Sequence, residues 1–167
     1  MDTDAAIYDT VRTALEQLGL TYEAISCDPK FADTEAFTER YGWPLERSAN
    51  TILVASKRGP KRFAACVLLA TTALNVNSVV KREMGVSKAS FAGPDETAEL
   101  TGMRIGGVTA FGRPAEVPVL IDERVLNLDW VILGSGTRNS KLKLASELLL
   151  RVPGARVVEG LARAPEA

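Results

Sequence analysis

Three stretches of this chain hold the residues whose types and spacing could do chemistry. The first is the glycine loop Gly106-Gly107-Val108-Thr109-Ala110-Phe111-Gly112. The second, Val117-Pro118-Val119-Leu120-Ile121-Asp122-Glu123, reads as a buried strand ending in two carboxylates, and the third, Gly134-Ser135-Gly136-Thr137-Arg138-Asn139-Ser140, is a glycine-rich loop with one guanidinium. Glycine lets a backbone approach a ligand closely and adopt positive φ, so two such loops around one apolar strand suggest a pocket lined by main-chain donors. The alternative is a pair of tight turns in a β-rich fold. Asp122 and Glu123 could orient water or an ammonium group, or merely cap neighbouring backbone. Arg138 could contact a phosphate, or pair with one of those carboxylates. The hydroxyls of Thr109 and Ser135 more often satisfy their own turns than catalyse.

Composition narrows the chemistry. The 167 residues contain no histidine and two cysteines, Cys27 and Cys66. Ser-His-Asp and Cys-His catalysis are therefore excluded, and little basis remains for a structural zinc site. Acid–base work falls to Asp, Glu, Lys, Tyr, the termini or water. With no histidine to lower its pKa, Cys27 is a poor nucleophile. The cysteines read as reduced thiols of a cytosolic protein. The net charge of −1 argues against a generally basic nucleic-acid coat. No run approaches the roughly 20 apolar residues of a membrane helix, and the acidic start Met1-Asp2-Thr3-Asp4 lacks the basic n-region of a signal peptide. Neither cofactor nor metal is expected.

The elements that must position these residues follow from periodicity. Ile7, Val11, Ala14, Leu15 and Leu18 make a helical stripe over residues 5–18, with Asp4 as N-cap and Gly19 as stop. Strands are expected at Leu20–Ile25, Thr51–Ser56, Arg62–Leu69, Ser87–Phe91, Val117–Ile121, Trp130–Leu133, Leu142–Leu144 and Arg156–Val158. Helices are expected from Asp33 to Arg40, from Asn77 to Met84, from Gly93 to Gly102 and near Ser146–Arg151, with a frayed tail after Leu161. The hairpin tip Lys57, Arg58, Lys61 and Arg62 is a solvated turn or a phosphate-contacting patch. Trp43 and Trp130 read as packing residues, with stacking on a terminal base as the other reading. Strands and short helices intermix without a βαβ rhythm, which predicts one α+β domain over 1–167 with a mixed, barrel-like sheet.

In this order the motifs resemble the YbaK/prolyl-tRNA synthetase-associated domain family of aminoacyl-tRNA editing domains. Leu100-Thr101-Gly102 followed by Gly106-Gly107-Val108-Thr109 is similar to that family's LTG…GG(V/I)SP passage. Val117–Glu123 resembles its (V/L)PV(F/L)IDE strand, Gly134–Arg138 its GaGxRG loop, and Cys27-Asp28-Pro29 stands where members often read HDP. The resemblance implies hydrolysis of the ester between a wrong amino acid and the tRNA 3′ end, without a cofactor. It places the aminoacyl group at Gly106–Gly112, whose backbone N–H groups could hold an oxyanion without a dedicated side chain. The implied catalytic positions are Asn50, Gly106 and Gly107. The implied substrate-binding positions are Thr109, Ala110, Phe111, Gly112, Asp122, Gly134, Ser135, Gly136 and Arg138. The expected partner is a tRNA acceptor end carrying an amino acid, with a synthetase as a further candidate and no DNA or membrane.

The sequence departs from the family pattern in three places. Active members carry a lysine where this chain has Asn50, and a neutral donor makes a hydrogen bond roughly half as strong as a charged one. Losing one oxyanion contact typically costs about 10²–10³ in rate. Ala110 replaces the loop proline, and Asn139 a usual glycine. Of the other lysines weighed for the missing charge, Lys57 begins roughly 23 Å along the strand at ~3.3 Å per residue, and Lys61, Lys81 and Lys88 have no specific support. A non-catalytic module binding aminoacyl-tRNA, a synthetase or an amino-acid-like ligand is the second reading.

Overall fold

The structure is a computed structural model in which residues 7–164 are described. Its elements run α1 (Asp9–Gln17), β1 (Glu23–Ser26), α2 (Thr34–Tyr41), β2 (Ala49–Ser56), β3 (Phe63–Leu69) and β4 (Ala73–Leu74). A π turn at Val76–Val80 leads into α3 (Lys81–Met84), then β5 (Ala89–Phe91), α4 (Pro94–Thr101), β6 (Val119–Asp122) and α5 (Glu123–Leu126). The chain closes with β7 (Trp130–Gly134), β8 (Ser140–Ala145), a 3₁₀ stretch at Ser146–Arg151, β9 (Ala155–Val158) and β10 (Ala162–Arg163).

The expected α+β class with a mixed sheet is what forms. Five strands lie in the order β5-β2-β3-β6-β9. β5, β2 and β3 pair antiparallel, whereas β6 joins β3 and β9 joins β6 in parallel. A second, antiparallel sheet runs β1-β8-β7. A parallel bridge between Ser48 and Ile132 sews β2 to β7, so the two sheets continue as one curved surface.

β3 shows why its sequence is apolar almost throughout. Ala65 and Val67 face the interior with Val11 and Leu15 of α1, Ile121 of β6 and Leu142 of β8. Ala64 and Cys66 face outward under Val80 and Met84 of the α3 region. A strand covered on both faces needs no polar alternation. Burial alone pushes the Cys66 thiol up to about 12, which leaves it an inert packing group.

Two expectations change at the chain ends. The proposed cap Asp4 lies outside the described residues, and the first helix runs from Asp9 with Tyr8 as its cap. In place of a frayed tail after Leu161, Ala162–Arg163 pairs antiparallel with Ala73–Leu74. Leu161 is fully buried, and Asn75 N donates to its carbonyl at 2.8 Å. Among the described residues, no helix is long and apolar enough to cross a membrane.

Candidate functional site

A cleft of about 250 Å³ opens where β2 parts from β7. Its walls come from Asp33, Thr34 and Phe37 of the α2 region, residues 48–53, Ala92 and Thr97, the loop residues Ile105, Gly106 and Val108, and Ile132–Gly134. Lys141 of β8 completes it.

The strand edge explains why the space exists. Ala70 N donates to Ser48 O and Ser56 N to Arg62 O, which fixes the even-numbered residues of β2 as the ones bonded to β3. Alternation then turns the backbone of Ala49, Thr51 and Leu53 to the opposite edge. There β5 covers only Val54–Ser56, and Ala92 N donates to Leu53 O at 2.8 Å. The main chain of Thr51 therefore borders the cleft.

Asn50 sits in this wall. Its Oδ1 accepts from Thr34 Oγ1 at 2.6 Å. With that oxygen engaged, the amide's Nδ2 is the atom available to donate to a ligand. Ser48 also lines the cleft, and its buried hydroxyl has no hydrogen-bond partner.

Lys141 is the residue that the sequence reading missed. It is 6% exposed, its ammonium donates to Gly106 O at 2.7 Å, and it lies 5.8 Å from the centre of the Phe37 ring. In β8 the pattern Lys141-Leu142-Lys143-Leu144 puts both leucines into the core and both lysines on the opposite face. Lys143 lies over Trp130 and Trp43, at 4.5 and 5.5 Å from the ring centres. Lys141 is instead covered by α2. Burial pulls its ammonium down to about 8, Cys27 and Asp33 pull it back up, and Arg138 pushes it further down. Burial raises the Cys27 thiol in turn, with Lys141 and Arg138 opposing that rise.

The other expected positions separate into groups. Asn50, Gly106 and Gly134 meet in the cleft. Gly107 supports it from behind, with its N–H engaged by Arg104 O at 2.9 Å and its carbonyl by Gly136 N at 2.6 Å. The amide once assigned to an oxyanion is thus closing a turn. Gly106 needs its positive φ of 94°, and a Cβ there would collide with the Arg138 guanidinium.

Arg138 pairs with neither Asp122 nor Glu123. Its Nη1 meets Asp33 Oδ1 at 3.1 Å and Ile105 O at 2.7 Å, and its Nη2 donates to Pro29 O at 2.9 Å, so it ties three segments around the cleft rim. Ser135 is buried and hydrogen-bonds Ser140 through both the hydroxyl, at 2.8 Å, and the carbonyl, at 3.0 Å. Thr109, Ala110 and Phe111 are buried, the last two in the central core. The Thr109 hydroxyl has no partner. Phe111 and Gly112 border a separate groove against α1.

Asp122 is fully buried away from the cleft. Its two oxygens accept from Arg124 N at 3.3 Å and Ala162 N at 3.0 Å, capping α5 and pinning β10. Asp122→Ala strands both donors. Urea unfolding is expected to show a loss of about 1–3 kcal/mol, with ligand affinity at the cleft unchanged.

The α+β architecture places a cleft between a mixed sheet and an antiparallel one, and comparison places the fold. The family model for the aminoacyl-tRNA editing domain matches residues 28–152, and the chain belongs to that family. The uncharacterized protein YwhH of Bacillus subtilis (strain 168) is 29% identical over 140 residues, spanning 84% of this chain and 87% of its own. The crystal structure of the hypothetical protein APE2540 superposes with a TM-score of 0.81 at 23% identity, covering 93% of this chain and all of that one. A proposed trans-editing enzyme for prolyl tRNA synthetase superposes with a TM-score of 0.78 at 22% identity, covering 95% and 97%. At these identities the two structures establish the fold.

Proposed function

We propose that this protein is a deacylase that hydrolyses the ester of a mischarged aminoacyl-tRNA. The observation that carries the reading is the cleft itself: an editing-family fold whose space of about 250 Å³ is lined by the polar side chains of Asn50, Thr34, Ser48 and Lys141 together with the apolar ones of Ile52, Ile105 and Val108. That volume lies below the usual range for drug-sized ligands and suits an aminoacyl group.

In this reading the amino acid enters between β2 and the Gly106 loop, and the ribose and terminal phosphate remain at the rim. Water adds to the ester carbonyl. The tetrahedral adduct collapses, the bond to the ribose oxygen breaks, and that oxygen takes up a proton. Asn50 Nδ2 and the Thr51 main chain supply neutral hydrogen bonds that orient the carbonyl and the α-amino group. An acceptor end carrying an amino acid is the partner, and the cytoplasm the expected location.

The test is deacylation of a panel of aminoacyl-tRNAs, mischarged tRNA(Pro) included, by the wild-type protein and Asn50→Ala. Turnover well above spontaneous hydrolysis is expected, with a roughly 10-fold or larger loss in Asn50→Ala. Wild-type protein that binds an aminoacyl-tRNA without accelerating its hydrolysis would move the reading to a binding module. The neutral side chain at Asn50 is the feature that favours that outcome.

A further inference from the structure

Lys141 presents a physical problem that the fold alone does not resolve. An ammonium group 94% withdrawn from solvent is costly unless it is paired. Among the described residues it forms no ion pair within 4 Å, and its one hydrogen bond goes to a neutral carbonyl, that of Gly106. The facing groups are Asp33 and Phe37 from the α2 side, Cys27 after β1, Arg138 on the loop before β8, and Asn50 on β2. Asp33 is the nearest available counter-charge, but its side chain is 71% exposed and committed to Arg138. A methionine or leucine would fill the same volume without this cost. The position therefore holds a charge that no ion pair among the described residues neutralises, on the wall of a cleft that an unpartnered serine hydroxyl also lines.

The loop adds the second half of the argument. The Gly107 amide is already bonded to Arg104 O, so it is not available to an incoming oxygen. The Gly106 group facing Lys141 is an acceptor, and it holds the ammonium in place. A charge-assisted hydrogen bond is roughly twice as strong as a neutral one, so the strongest donor that the cleft offers to a developing negative charge is the Lys141 side chain rather than the glycine backbone.

We propose that the Lys141 ammonium holds the carbonyl oxygen of the bound aminoacyl ester and stabilises the negative charge it acquires when water adds to the carbonyl carbon. This rests on the deacylase reading above. Lys141 keeps its proton throughout: it donates a hydrogen bond to the oxyanion, the carbonyl re-forms as the ribose oxygen leaves, and the proton released by the nucleophile ends on that oxygen. Its contact with Gly106 aims it, and Asn50 acts beside it as a neutral donor.

The experiment compares single-turnover deacylation by wild type, Lys141→Met and Lys141→Arg between pH 6.5 and 9.5, using the aminoacyl-tRNA that wild type cleaves fastest. Binding of the matching 3′-aminoacylamino-adenosine, whose amide is not hydrolysed, is measured alongside. Lys141→Met is expected to lose about 10²–10³ in rate while binding the neutral amide within about threefold of wild type. The ratio of wild-type to Lys141→Met rates should fall as pH rises through about 8, where the buried ammonium gives up its proton. Lys141→Arg should recover part of the rate without that fall, because a guanidinium stays charged. A Lys141→Met rate within threefold of wild type, or a rate ratio independent of pH, overturns the role. So does loss of amide binding in proportion to rate, which marks a merely structural residue. Failure of the wild type to cleave any aminoacyl-tRNA removes the deacylase reading and this role together, an outcome distinct from the other three.

Discussion

Lys141→Met is expected to unfold later than the wild type at neutral pH, by about 3 kcal/mol in urea titration, with most of that gain gone by about pH 9.5. The sign follows from where the proton sits. The ordinary lysine value is 10.5, and in the folded protein burial brings it to about 8. Below pH 8 both states are protonated, and the native state alone carries the cost of the buried charge. Between about 8 and 10.5 the unfolded chain binds more protons than the native one, so wild-type stability rises with pH across that window. Above it both are neutral and the penalty is absent. At about 1.36 kcal/mol for each pH unit between the two values, the pH-dependent difference comes to about 3 kcal/mol. A stability difference between the two proteins that stays flat from pH 7 to pH 10 would contradict the buried-charge account. Stabilisation and loss of rate from one substitution would be the signature of a position kept for function at the expense of stability.

Gly134→Ala is expected to cost about 3 kcal/mol or more, a fall of about 6–12 °C in melting temperature for a chain of this size. A Cβ at Gly134 would lie 2.5 Å from Val108 O and 2.6 Å from Gly107 O. Both obstacles are main-chain atoms of the loop that forms one wall of the cleft, so no side chain can swing aside. Relief requires the loop to move off β7, which also shifts Gly106 and the carbonyl that holds Lys141. Gly93→Ser is the matched control. Open space surrounds Gly93, and it caps α4 with φ −71° and ψ 170°, a position that serine favours. Thermal melts should show Gly93→Ser unchanged or slightly raised. A Gly134→Ala protein within 1 °C of wild type would show that the loop adapts at little cost.

The elements were legible because their signals are local. The β-branched run at Thr51–Ser56, the turn at Lys57–Pro60 and the glycines that stop α2 and α4 each act over a few residues, and β2, β3, α2 and α4 fall there. Asn50, Gly106 and Gly134 were drawn together by motif resemblance, and the cleft does bring them together. Lys141 was missed because alternation in β8 says only that the two lysines share a face. Whether that face meets water or a helix depends on α2, about a hundred residues earlier in the chain, and on Phe37 reaching over it. The same limit applies to Arg138. Spacing offered it a phosphate or the carboxylates of Asp122 and Glu123, and the partner is Asp33, beyond a sheet that spacing alone could not fold. Of the two readings of Asp122, water or ammonium orientation and backbone capping, the structure takes the second: its oxygens serve two backbone amides. Phe111 and Ala110 joined the core because a phenylalanine in a glycine loop has more to gain from burial than from lining a polar site.

The bridge between Ser48 and Ile132 joins two hairpins that are each complete without it: β2 folds back onto β3 across residues 57–62, and β7 onto β8 across residues 135–139. Both form from contacts close in sequence, which is the fast part of folding. The space between them comes into being only when the finished hairpins dock, with one strand edge meeting the other at a single bridge before diverging. The docked faces share one core, Leu53, Ala65 and Val67 from one hairpin and Val131, Leu133 and Leu142 from the other, so the shape of the cleft is set by tertiary packing and by neither hairpin alone.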